Sequence, residues 1–173
     1  MSKEVAGAPG GGAFELRPAR AEDYEELVRV YASTREAELA QVPWSDEQKL
    51  AFCRMQYDAQ KAEYDSRFPD AQYDLILLDG RVAGRVWVGR GAEEIRLLDV
   101  ALLPWAQGRG VGTALVKDLV EEAQASGRRL RHMVLVMNEG ARRLYERLGF
   151  VVFEEVGAYL HMEWRGDRKG GDG

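Results

Sequence analysis

Gln107-Gly108-Arg109-Gly110-Val111-Gly112 lies between an apolar run, Ile95 to Pro104, and a helix-like segment, Val111 to Gln124. A strand that empties through a glycine-rich turn into a helix N-terminus exposes several backbone N–H groups with no partner in the helix. Glycines there leave no Cβ in the way, so those donors can close on a phosphate. The stretch predicts a phosphorylated ligand held by backbone, about two-thirds of the way along the chain.

The rest of the chain arranges itself around that turn. Phe14 to Pro18 alternates like a short strand, and Glu22 to Arg35 carries Leu27, Val30 and Tyr31 at helical spacing. Pro43-Trp44-Ser45 interrupts the chain, and Ser45 with Gln48 predicts a capped helix to about Tyr64. Its expected buried side holds Leu50, Cys53, Met55 or Tyr57, and Tyr64. Gln72 to Leu78 and Val82 to Val88, joined by Asp79-Gly80, read as a hairpin, and Glu94 to Leu103 as a third strand of a meander.

After the turn comes the helix from near Gly110, then a strand over Leu130 to Met137. Asn138 caps a helix over Ala141 to Leu148 that stops at Gly149. Strands over Val151 to Val156 and Tyr159 to Trp164 close the order β-αα-βββ-α-β-α-ββ. This is an α/β fold, a mixed and mostly antiparallel sheet of about seven strands with four helices on its faces. A parallel crossover is expected between strands 94–103 and 130–137. Residues 1–12 and 165–173, rich in glycine or charge, read as disordered tails around a single domain over 13–164.

At 173 residues the chain is long enough for one well-packed domain. Its net charge of −5 speaks against a general nucleic-acid binder, which needs a basic excess. No apolar run is long enough to span a membrane and no hydrophobic signal core precedes the domain, so the expected compartment is the cytoplasm. The single cysteine, Cys53, excludes an internal disulfide and reads as a small core residue, with a nucleophile as the other reading. His132 and His161 stand singly on strands with no companion at ligand spacing, so no metal is expected.

Two familiar phosphate-binding patterns do not fit the turn. A dinucleotide fold places Gly-x-Gly-x-x-Gly in its first strand–helix turn, whereas here the spacing is Gly108-x-Gly110-x-Gly112 after several strands. A P-loop ends in Gly-Lys-Ser/Thr, and Gly112-Thr113-Ala114 has no lysine. A purely structural reading, glycines for close helix–strand packing, also exists.

Leu102 to Gly112 resembles the acyl-CoA signature Gln/Arg-x-x-Gly-x-Gly/Ala of the GNAT acetyltransferases. Asn138-Glu139-Gly140-Ala141-Arg142-Arg143-Leu144-Tyr145-Glu146-Arg147-Leu148-Gly149-Phe150 is similar to that family's second hallmark, Asn-x-x-Ala-x-x-Leu-Tyr-x-x-x-Gly-Phe. The resemblance covers about residues 13–164 and is strongest from 94 to 150. It implies that Gln107, Gly108, Arg109, Gly110, Val111, Gly112 and Thr113 cradle the pyrophosphate of acetyl-CoA at the positive end of a helix dipole. Arg109 would add a charge contact; Arg142 and Arg143 would do likewise or stand as solvated surface arginines.

The resemblance further implies that strand 94–103 splays from strand 130–137, so that pantetheine pairs with backbone at Val100, Ala101 and Leu102. An N–H near Leu102 would polarise the thioester carbonyl. Tyr145 matches the tyrosine that protonates the departing thiolate, against a core-aromatic reading, and Asn138 would cap its helix and touch the pantetheine arm. The implied acceptor is a primary amine, attacking directly in a ternary complex. An alkylammonium with pKa of about 10 needs a proton sink. Glu94 is the first candidate base and Asp99 the second, directly or through water; five apart, they fall on opposite faces of a regular strand unless a bulge intervenes.

Two departures from the family pattern stand out. Arg96 occupies a position where members often carry glutamate, and Leu135-Val136-Met137 is apolar where they commonly carry polar residues. The latter, with Trp44, Trp87 and Trp105, suggests an apolar side to the acceptor cleft, with core packing as the alternative. A non-catalytic acyl-CoA-binding module of the same fold is the competing function. A homodimer is left open, and the resemblance implies that residues 20–71, which carry no readable motif, build the acceptor side of the cleft.

Overall fold

The computed structural model describes residues 2–5 and 14–166. Eight strands form one sheet in the order β1-β2-β3-β4-β5-β6-β8-β7. They are β1 (Lys3–Val5), β2 (Phe14–Pro18), β3 (Gln72–Leu78), β4 (Arg81–Arg90), β5 (Glu94–Leu102), β6 (Arg129–Leu135), β7 (Phe150–Val156) and β8 (Tyr159–Trp164). Every pairing is antiparallel except β5 with β6. The helices are α1 (Tyr24–Leu39), α2 (Asp46–Arg67), α3 (Val111–Ser126) and α4 (Glu139–Arg147).

Seven strands and four helices stand where the pattern predicts them. The eighth is a correction: Lys3–Val5, read as part of a tail, pairs antiparallel with Leu16–Phe14 of β2. The rest of the proposed N-terminal tail, and the C-terminal one from residue 167 on, lie outside the described residues.

Local chemistry fixes the element ends. Ser45 Oγ accepts from Gln48 N–H (3.2 Å) while Gln48 Oε1 accepts from Ser45 N–H (2.9 Å), closing the expected capping box of α2. The hairpin residues Asp79 and Gly80 both have positive φ, 53° and 74°, the signature of a type I′ turn that matches strand twist. On α2, Cys53 and Tyr57 are buried, whereas Leu50 and Met55 are exposed. The helix therefore turns a narrower apolar stripe to the sheet than its composition suggests, and it continues past Tyr64 to Arg67.

The sheet has a core on each face, as strict alternation along β3 makes visible. Ile76 and Leu78 join α3, β6 and Phe150 in the larger cluster, while Leu75 packs with Leu27, Val28, Tyr31 and Tyr57 of α1 and α2. Burial of both faces explains the near-continuous apolar runs of the central strands.

The parallel pair holds only from Glu94↔Arg129 to Leu97↔His132. Beyond Leu97, β5 keeps its partner β4 (Asp99↔Trp87 to Leu102↔Gly84), and β6 keeps β8. The two central strands part, leaving an unpaired backbone edge on β5 over the segment that leads into the glycine turn.

Candidate active site

The parting of β5 and β6 opens a cleft of about 570 Å³, walled by both strands, α1, α2 and α4. Asp99, Val100, Ala101 and Leu102 line it from β5, Gln107 and Gly112 from the turn, Asn138 and Tyr145 from α4. Two motifs distant in sequence thus meet in one cavity.

The turn itself has the backbone its sequence requires. Gly108 and Gly110 adopt φ of 74° and 78°, a left-handed conformation costly for residues with a Cβ. Gly110 is the N-cap of α3, and no side chain caps that helix. The N–H groups of its first turn therefore remain available to an anion, reinforced by the helix dipole. Gln107 Nε2 donates to the Leu102 carbonyl (3.0 Å), tying the turn to the end of β5. Arg109 is exposed, with its guanidinium 5.6 Å from the Trp105 ring centroid. Arg142 points along its own helix, its Nε donating to Glu146 Oε1 (2.9 Å), and Arg143 pairs likewise with Glu139.

Asn138 Oδ1 accepts from Ala141 N–H (3.1 Å) and caps α4, as its position predicts. Tyr145 is buried between His132 (ring centroids 4.6 Å) and Phe150 (5.3 Å). Burial first, and the Asp99 carboxylate second, raise the Tyr145 phenol above its ordinary pKa, so it holds its proton across the physiological range.

The two candidate carboxylates fall at different places. Glu94 sits in the closed part of the parallel pair, with Arg131 Nε at 3.4 Å and Arg96 Nη2 at 3.5 Å, and it does not line the cleft. Asp99 does. Trp87 faces Asp99 and Val88 faces Leu97, so Leu98 is a bulge. The bulge shifts the alternation by one, so both carboxylates lie on the α1/α2 side of the sheet, about 15 Å apart along the strand.

Asp99 meets a residue to which no sequence motif points. Arg85 of β4 is fully buried on that side, its Nε 2.8 Å from Asp99 Oδ2. The approach lies off the N–H direction, so this is a close charge contact and not a directed hydrogen bond. Arg85 Nη2 donates to Gln60 Oε1 (2.8 Å), and the guanidinium lies over the rings of Tyr31 and Tyr57 at 5.7 and 5.8 Å. Burial works against its charge, yet the Asp99 carboxylate and the Tyr73 hydroxyl hold the guanidinium pKa above its ordinary value.

His132 is the second residue missed. It stands at the last paired position of β6, and its Nδ1 lies 2.7 Å from the Leu97 carbonyl oxygen. That oxygen only accepts, so Nδ1 carries the proton. Burial pushes its pKa below the ordinary value, against the Leu97 hydrogen bond, and so favours the neutral ring. A histidine followed by strand divergence was the available signal, but a lone histidine in an apolar run reads equally as core.

None of the three tryptophans lines the cleft. Trp87 is buried and stacked on Tyr73 (3.9 Å), Trp44 packs on Phe52, and Trp105 lies under Arg81 (4.4 Å). The apolar wall comes instead from Leu98, Met133, Leu135 and Tyr159. Of the Leu135-Val136-Met137 run, Leu135 faces the cleft, Val136 packs on the main core and Met137 is exposed. Cys53 is a buried thiol whose pKa is raised by burial. Among the described residues no cluster of three His, Cys, Asp or Glu side chains could hold a metal, and no helix is long and apolar enough to cross a membrane.

A strand pair that splays beside a glycine turn, with a tyrosine helix across the gap, is the arrangement of an acyltransferase fold. A model of the acetyltransferase (GNAT) family matches residues 25–150, and the chain belongs to that family. An uncharacterized N-acetyltransferase of Methanocaldococcus jannaschii is 39% identical over 71 residues, 40% of this chain and 31% of that protein. An uncharacterized N-acetyltransferase of Bacillus subtilis, CgeE, is 28% identical over 78 residues, 45% and 30% of the two chains. The matched stretch thus spans about a third of the length of these curated relatives.

Among solved structures, the PaiA N-acetyltransferase of Thermoplasma acidophilum in complex with coenzyme A superposes with a TM-score of 0.67. It is 22% identical, over 88% of this chain and 99% of that one. An acetyltransferase of Thermus thermophilus gives 0.64 and 22%, over 93% and 97%. At this identity the two structures establish the fold.

Proposed function

We propose that the protein is an N-acetyltransferase that moves the acetyl group of acetyl-CoA to a primary amine by direct attack in a ternary complex. The observation that carries this reading is the parting of β5 and β6 after Leu97 and His132, which leaves the edge of β5 unpaired beside an uncapped α3 N-terminus. A pantetheine arm supplies the missing strand pairing along Val100, Ala101 and Leu102, and the pyrophosphate lies on residues 107–113. Coenzyme A bound to a structural relative supports the same donor.

The amine nitrogen attacks the thioester carbon, and the carbonyl oxygen takes the negative charge, stabilised by an N–H near Leu102. As the C–S bond breaks, the thiolate takes the Tyr145 proton. A phenol is ordinarily a weaker acid than a thiol, with pKa of about 10 against about 8.5. The burial that disfavours phenolate also disfavours the departing thiolate, which is therefore a stronger base in the cleft than in water. We assign to Asp99, in place of Glu94, the role of the anion that orients the incoming ammonium and the water through which its proton leaves, because a proton kept on Asp99 itself would strand the buried Arg85 charge. Asp99 lines the cleft and Glu94 does not; both are paired with arginine, Asp99 with Arg85 at 2.8 Å and Glu94 with Arg131 and Arg96 at 3.4 and 3.5 Å.

Thiol release from acetyl-CoA across a panel of amines tests the reading. Release with at least one amine, lost in Tyr145→Phe while CoA still binds, is the expected result. CoA binding without release for any amine would establish the non-catalytic acyl-CoA module instead.

A further inference from the structure

We infer that the acceptor is a monoamine with an apolar body, alkyl or aryl, and not a polyamine or a lysine within a polar chain. The inference rests on the acetyltransferase reading and deepens it. Met133 and Leu135 of β6 and Tyr159 of β8 point to the side of the sheet that carries Asp99, and all three line the cleft. They are 38%, 48% and 43% exposed, an apolar shelf that no element of the described chain covers. Leu135 and Tyr159 are a direct cross-strand pair, so the shelf is continuous across two strands. Leu98, from the bulge of β5, extends it toward Asp99.

Charge decides what lies on that shelf. The charged side chains lining the cleft are Arg35, Glu38, Arg85 and Asp99. They form two pairs, Arg35 Nε to Glu38 Oε2 at 3.5 Å and Arg85 Nε to Asp99 Oδ2 at 2.8 Å. The cavity therefore holds no excess of carboxylates for a polycation. In the inner pair the guanidinium is buried and the carboxylate is 25% exposed, so the anionic face the cleft offers to one ammonium is that of Asp99, shared with Arg85. A second ammonium farther along the acceptor would meet methionine, leucine and tyrosine, losing part of its hydration with no anion to replace it. A hydrocarbon body gains there what the cation loses. The shelf ends at Arg131, which lies on the same strand face, held by Glu163 (2.8 Å) and stacked over Phe153 (4.5 Å).

The test is kcat/KM for butylamine, hexylamine, phenethylamine and spermidine, read by thiol release with acetyl-CoA. A methylene that is fully buried is worth about fourfold. On a half-exposed shelf hexylamine should exceed butylamine by about four- to tenfold, phenethylamine should match hexylamine, and spermidine should fall below both. Leu135→Asn should flatten the dependence on chain length, with CoA affinity retained as evidence of folding. A flat series in the unaltered protein, spermidine as the best acceptor, or a slope that survives Leu135→Asn would overturn the inference while leaving the acetyltransferase reading intact. A slope that appears with hexanoyl-CoA as donor and is absent with the amines would assign the shelf to the acyl chain and overturn it equally. No release with any amine would remove the acetyltransferase reading, and this inference with it.

Discussion

Arg85 and Asp99 form one ion pair, yet removing either partner should not cost the same. The Arg85 side chain is 2% exposed and that of Asp99 is 25% exposed, opening on the cleft. In Asp99→Asn the guanidinium keeps Gln60 Oε1 at 2.8 Å and the Tyr73 hydroxyl at 3.5 Å, both neutral, and stays almost wholly buried. Leaving one charge of a buried pair uncompensated costs about 3–5 kcal/mol. The remaining amide oxygen of asparagine keeps the expected value near the lower end. In Arg85→Met the aliphatic stem is preserved and the orphaned carboxylate hydrates through the cleft, so the cost falls to about 1–2 kcal/mol. The double variant has no buried charge and should cost about as little as Arg85→Met alone, giving a coupling of about 3 kcal/mol. Urea unfolding, followed by two probes to establish a single transition, measures all four states. Equal costs for the two single variants, or strict additivity in the double, would refute the account of this pair as a buried cation held by a cleft-facing anion.

Three further outcomes are expected. His132 is neutral in the folded chain with its pKa depressed by burial, so its contribution is complete above about pH 6.5 and is lost as pH falls, at up to about 1.4 kcal/mol per pH unit. His132→Asn should show a shallower fall in urea midpoint between pH 7 and 5.5; an unchanged fall would deny the buried neutral ring. A Cβ at Gly84 would lie 2.1 Å from the Ala101 carbonyl oxygen, so Gly84→Ala must push β4 from the cleft segment of β5. Overpacking of this kind costs about 1–3 kcal/mol, and calorimetry should find weaker CoA binding as well. At Gly108 nothing lies near an added Cβ, but φ is 74°, so Gly108→Ala should cost about 1–2 kcal/mol of turn strain, felt as reduced CoA affinity with little change in fold.

The donor half of the site was legible because its chemistry is local. The positive-φ glycines, the uncapped start of α3, and Asn138 seven residues before Tyr145 are each set by neighbours in sequence, and each stands where spacing predicts. The hairpin at Asp79-Gly80 and the Ser45 cap belong to the same class. Where a local pattern met a tertiary choice, the reading weakened. Leu50 and Met55 satisfy helical periodicity as well as Tyr57 does, and only packing against α1 and β3 decides that Tyr57 is the buried one.

The proposed acceptor half was illegible because it depends on how strands pair, first on the register between β4 and β5. Glu94 and Asp99 are equivalent to a reader of spacing; the Leu98 bulge is what brings Asp99 against Arg85 of the preceding strand. A bulge is an extra residue in one strand relative to its partner, and a single chain segment carries no record of its partner. The same holds for the apolar shelf. Leu135 reads as an ordinary core residue until β6 is seen to leave β5 after His132, uncovering the face on which Leu135 and Tyr159 meet. On the proposed reading, donor recognition rests on contiguous motifs and acceptor recognition on strand registers.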